Sequence, residues 1–138
     1  VIIAFTVETD GHLPTGASLK EAITLVDAQT DSYAAYFMIN CAHPEHFENV
    51  LSNDLWMQRL RGIVANASRC SHAELDEAEE LDDGDPDELG QQLAEIRSRF
   101  PHISVLGGCC GTDKRHLSSI ARSSVVAEAD LRCATGNR

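Results

Sequence analysis

The stretch ISVLGGCCGTDKRHLSSIA, Ile103 to Ala121, contains one whole structural unit in miniature. The aliphatic run Ile103 to Leu106 reads as a short buried strand. It leads into a glycine-rich loop with two adjacent cysteines, Cys109 and Cys110. Thr112 or Asp113 then has the residue type of a helix cap, and Leu117, Ile120 and Ala121 follow at spacings that share one helical face.

Working outward, the same strand-then-helix pattern occurs three more times. Val1 to Val7, Ala34 to Asn40 and Gly62 to Asn66 are further apolar runs of strand length. They are nearly continuous in apolarity, as expected of parallel strands covered on both faces. After the first come Gly11, Pro14 and Gly16, then Ser18 and Glu21 at capping-box spacing, then Leu19, Ala22, Ile23 and Val26 on one side. After the second, Pro44 fits a first helical turn, with Phe47, Val50 and Leu51 as its apolar stripe. After the third, Asp85, Pro86 and Glu88 open a helix that turns Leu89, Leu93, Ile96 and Phe100 inward. Repeated β-α units joined by right-handed crossovers give either a doubly wound sheet or a barrel. A complete (β/α)8 barrel takes about 250 residues, so four units in 138 residues amount to half of one. Residues 1–138 are expected to form a single partial domain. The opening at Val1, inside an apolar run and without an initiator Met, reads as a cut within a longer protein.

Composition narrows the function classes. Hydrophobic residues at 43% and charged residues at 24% are ordinary for a folded domain. A formal net charge of -11 offers no basic stripe to displace counterions, so no nucleic-acid partner is expected. Ten acidic residues fall between Glu74 and Glu88. That run reads as a solvated loop and helix start, and Asp82, Asp83, Asp85 and Asp87 lack the spacing of an EF-hand calcium loop. No apolar stretch approaches the roughly 18 residues of a membrane span, and no leader pattern opens the chain. Five cysteines, an odd number, fit a reducing compartment, with cytoplasm as the default.

The chemistry is expected where strands end. Cys41 directly follows the strand AAYFMIN, while Cys109 and Cys110 follow ISVLGG. Thiolates suit zinc, and a catalytic zinc commonly has three protein ligands and one open position. Neighbouring cysteines on a regular strand point to opposite faces, so Gly107, Gly108 and Gly111 are expected to break the strand. By spacing alone the cluster reads as a metal site, as buried inert thiols or as a vicinal disulfide. Cys70 and Cys133 read as structural or incidental. His43 could in principle be a fourth ligand, but reads as a loop histidine bonded to backbone. Asn40, Asn66 and His72 are candidates for the ring of residues around the ligands.

At these residues the chain resembles the zinc-dependent homocysteine S-methyltransferase family. The resemblance rests on AFTVETDGHLPTG (Ala4 to Gly16), INCAHPEHF (Ile39 to Phe47), GIVANASRCSHAELDEAEELDDGDP (Gly62 to Pro86) and VLGGCCGTDKRH (Val105 to His116). It implies the C-terminal half of a TIM (β/α)8 barrel, with Zn2+ held by Cys41, Cys109 and Cys110 at the barrel mouth. It also implies homocysteine and a methyl donor as partners: the homocysteine thiolate takes the open position and is methylated to methionine. The 138-residue chain by itself is expected to bind zinc weakly and not to turn over. The alternative is a non-catalytic zinc-binding half-barrel remnant.

Overall fold

Local signals in the sequence set most element boundaries. The structure, a computed structural model, describes residues 1–135. Helix α1 (Leu19–Thr30) starts where the Ser18 hydroxyl accepts from the Glu21 N–H and the Glu21 carboxylate accepts from the Ser18 N–H, so two otherwise orphaned donors are satisfied. Its face is anchored by buried Leu19 and Ile23. Helix α4 (Pro86–Arg99) begins at Asp85, whose carboxylate accepts from both the Asp87 and Glu88 N–H groups. Helix α5 runs over Lys114–Thr135.

Strands β1 (Ile2–Thr6), β2 (Tyr36–Ala42), β3 (Leu60–Ala65) and β4 (Val105–Gly108) form one parallel sheet in the order β1-β2-β3-β4. A doubly wound sheet reverses its order at a switch point; this one does not. Right-handed crossovers that always step the same way place every helix on one face, an arrangement compatible with half of a barrel. On that face Phe5, Phe37, Ile39 and Ile63 join Leu19, Ile23, Leu89, Leu93 and Ile96 in the core, and the Phe5 and Phe37 rings stack 5.8 Å apart.

The expectation of two covered faces is corrected. Register puts Ala4, Met38, Gly62 and Val105 in one row of the opposite face, and Thr6, Asn40, Val64 and Gly107 in the next. Ala4 and Val105 are exposed there, and Met38, Asn40 and Val64 are only half-buried. A β-carbon on Gly62 would sit 2.6 Å from the Met38 methyl, so Met38 bends over the glycine and supplies part of the missing cover. Apart from Thr6 and Asn40 the rows are apolar on both sides, and apolarity alone does not reveal which side carries helices.

Other boundaries also move. Strand β2 starts two residues later than expected and continues through Cys41, and β4 takes in Gly107 and Gly108. The segment after Pro44 is a single turn, α2 (Pro44–Phe47), followed by 3-10 turns at Glu48–Val50 and Leu55–Arg59. Within the acidic run a short helix forms, α3 (His72–Glu77), where a loop was expected. Its Ser71–Glu74 capping box is the signal that the acidic composition masks. No helix among the described residues is long and apolar enough to cross a membrane.

Candidate metal centre

Cys41 lies inside β2, at an irregularity of its pairing with β3. Asn40 pairs with Val64 and Ala42 with Ala65, so Cys41 is an extra residue in the ladder. Its φ of 51° is in the left-handed region, uncommon for a residue with a side chain. A bulge of this kind redirects a side chain next to a functional site. The expectation that Cys41 simply follows the strand is therefore replaced by a more specific arrangement.

Across β3, the Cys109 N–H donates to the Ala65 carbonyl at 2.7 Å, one residue beyond the end of β4. The chain then turns, with the Thr112 N–H donating to the Cys109 carbonyl at 3.1 Å and Gly111 at φ 76°. A β-carbon on Gly111 would come within 2.6 Å of the Asp82 carbonyl oxygen. Of the three glycines expected to break the strand, only Gly111 does so. The turn lets adjacent cysteines face the same way: the Cys109 and Cys110 sulfurs are 3.9 Å apart.

The three sulfurs of Cys41, Cys109 and Cys110 all lie within 4.8 Å of one another. Cys41 and Cys109 are paired as a disulfide, with Cα atoms 5.6 Å apart, and Cys110 is free, so the vicinal disulfide does not form. Cys41 and Cys109 are half-buried and Cys110 is exposed, unlike inert core thiols. Reduction of the pair leaves three soft donors converging from two strand ends with one side open, a set that fits zinc. Among the described residues this is the single cluster with such a donor set.

A hollow of about 250 Å³ opens beside the sulfurs, lined among others by Cys41, Asn66, His72, Leu81, Asp82 and Cys110. Asn66 is 4% exposed, and its Oδ1 has no hydrogen-bond partner; its backbone N–H donates to Ala42. His72 faces the site through backbone, with Nε2 2.7 Å from the Cys41 carbonyl oxygen. Asn40 points to the sparsely covered sheet face, where its Oδ1 accepts from the Thr6 hydroxyl at 2.8 Å.

The remaining candidates sort plainly. His43 is 2% exposed and caps α2, its Nδ1 accepting from the Glu45 N–H at 3.3 Å. Burial, with the Arg69 guanidinium nearby, pushes it down to about 4, and it lies outside the sulfur cluster. Cys70 and Cys133 are exposed and also outside it. Several carboxylates of the acidic run have protein partners. Asp82 accepts from the Ser68 hydroxyl and the Gly84 N–H, bonds that hold its carboxyl below the usual range. Asp83 pairs with Arg115 at 2.7 Å, and Asp85 caps α4. Sequence reading misses Asp82 as a wall of the hollow, since nothing local distinguishes it from nine acidic neighbours. It also misses His116, fully buried, whose Nε2 lies 2.7 Å from the Asp83 carbonyl oxygen and whose Nδ1 accepts from the Asp113 N–H. His116 ties the acidic loop to the turn that carries the cysteines.

A parallel α/β sheet of sequential order that gathers three thiols at strand ends belongs to the class that places its chemistry at the carboxyl ends of strands. The family model described as homocysteine S-methyltransferase matches residues 1–124, and the chain belongs to that family. No curated protein and no solved structure matches the chain.

Proposed function

We propose that this chain carries the zinc-binding portion of an enzyme that transfers a methyl group to the thiol of homocysteine, giving methionine. The convergence of Cys41, Cys109 and Cys110 within 4.8 Å carries the reading, together with family membership. As thiolates the three would hold Zn2+. When bound, the ion lowers the pKa of a substrate thiol, so that a sulfur nucleophile exists at neutral pH. Leu75 and Leu81 line the hollow beside the sulfurs and give it an apolar side. Asn66 lines the hollow and its Oδ1 has no partner; in this reading that oxygen accepts from an N–H or O–H of the bound substrate. The homocysteine sulfur forms a bond to the methyl carbon, and the bonding pair of the broken methyl bond leaves with the donor.

The experiment is zinc content after dialysis of the reduced protein. Cys109→Ser and Cys110→Ser should abolish retention, while Cys70→Ser and Cys133→Ser should leave it unchanged. Equal zinc in all four variants would remove the assignment. A second reading, a non-catalytic zinc-binding remnant, draws on the sparsely covered sheet face. Catalysis needs a site that orients both reactants and excludes water, and a half-open mouth does neither well. Methionine formation by the 138-residue chain with homocysteine and a methyl donor would exclude that second reading; its absence is the expected result for this chain alone.

A further inference from the structure

We infer that His72 is a positioning residue that holds Cys41 in its ligating conformation. The inference rests on the metal-centre reading above. A left-handed residue with a side chain is strained and persists only where its surroundings hold it. Cys41, at φ 51° inside a bulge, is such a residue, and something must fix its backbone.

The brace is visible atom by atom. A carbonyl oxygen only accepts, so the 2.7 Å contact from His72 Nε2 to the Cys41 oxygen means that Nε2 carries the proton and donates. The other ring nitrogen, Nδ1, faces Glu8 with its Oε2 3.5 Å away, and the bond to Cys41 is the one that does the holding. Nε2 is committed to the Cys41 carbonyl, and neither ring nitrogen belongs to the cluster of ligand atoms within 4.8 Å of one another, so His72 supports a ligand and is not one itself. The imidazole is in turn positioned by α3, whose first residue is His72 and whose start is fixed by the Ser71–Glu74 box. Glu8 follows β1 in a loop closed by its own N–H donating to the His12 carbonyl at 2.8 Å and its carbonyl accepting from Gly11 at 3.0 Å. The chain of contacts therefore joins the end of β1, the bulge in β2 and the helix after β3. Partners that orient a metal ligand indirectly commonly change metal affinity by about 10- to 100-fold.

The test uses the full 138-residue chain, reduced and loaded with Co2+, titrated against a competing chelator. His72→Ala should weaken cobalt retention roughly tenfold or more and alter the sulfur-to-cobalt charge-transfer band. His72→Gln, whose amide N–H can still reach the carbonyl, should restore most of both. Retention and spectrum in His72→Ala equal to the parent would overturn the proposal. Should the parent retain no more cobalt than Cys109→Ser, the metal-centre reading itself fails, and the brace is then judged on the metal-free reduced chain by peptide-resolved alkylation. Faster alkylation of Cys41 in His72→Ala than in the parent and His72→Gln supports it; equal rates overturn it.

Discussion

At the scale of single residues, His43 shows how position converts a candidate ligand into a structural group. Its spacing from Cys41 invites a metal role, yet the ring is buried and its Nδ1 is committed to the first turn of α2. Burial disfavours the charged form, and the group sits at about 4 against roughly 6.5 in an unfolded chain. Below about pH 6.5 the unfolded chain therefore takes up a proton that the folded chain refuses. The stability contributed by neutral His43 is fully present above that pH and is lost as pH falls toward 4. By pH 5 the loss is about 2 kcal/mol. Urea midpoints of the metal-free chain at pH 7 and pH 5 should show it. His43→Asn keeps a capping acceptor without the titration, and should lose less than half as much; parallel losses in the two proteins would count against the assignment. The grouping of the three sulfurs was expected from the family resemblance, since their places at strand ends by themselves left a metal site, inert thiols and a vicinal disulfide open. Their geometry was not, because a bulge at Cys41 depends on how β3 pairs with it, and sequence alone carries no register.

At the scale of elements, helix starts were the most legible features, because capping is local chemistry. Ser18 with Glu21 and Asp85 with Glu88 behave as their spacing dictates. Strand limits were less so: β2 and β4 run past their expected ends, since cross-strand hydrogen bonds decide where a strand stops. Helix-on-helix packing was illegible, and Gly90 illustrates why. In sequence it is only a weak point inside α4, where alanine should gain about 1 kcal/mol of helix propensity. In the fold, α4 lies against α5 at that position, and a β-carbon on Gly90 would come within 2.8 Å of the Ser119 carbonyl carbon. Backbone cannot move aside as a flexible side-chain end can, and overpacking of this kind costs about 1–3 kcal/mol. The packing effect offsets or outweighs the propensity gain, so Gly90→Ala should lower stability by up to about 2 kcal/mol by denaturant titration. A stabilised variant would show that α5 does not pack as closely as described.

At the scale of the whole molecule, repeating β-α units made a parallel α/β fold legible, and the sequential strand order agrees with the half-barrel that the unit count implied. What sequence could not tell is that one sheet face is left thinly covered, because apart from Thr6 and Asn40 both sides of the strands are apolar. That face has a consequence for behaviour in solution. The outer edges of β1 and β4 have no strand partner among the described residues. Ile2 on β1 is 51% exposed and Val105 on β4 is 38% exposed. An unpaired strand edge with apolar neighbours is a template for another chain, and all four strands run parallel, so the β4 edge of one molecule presents the polarity that the β1 edge of another can continue. The 138-residue chain should therefore self-associate at concentrations in the µM range, seen by sedimentation velocity as a mass that rises with concentration. Natural edge strands are protected by lysine, so Ile2→Lys should shift the distribution toward monomer without changing the far-ultraviolet circular dichroism. A parent chain that stays monomeric across that range, or a lysine variant that associates just as strongly, would mean that the open edges are not what draws the molecules together.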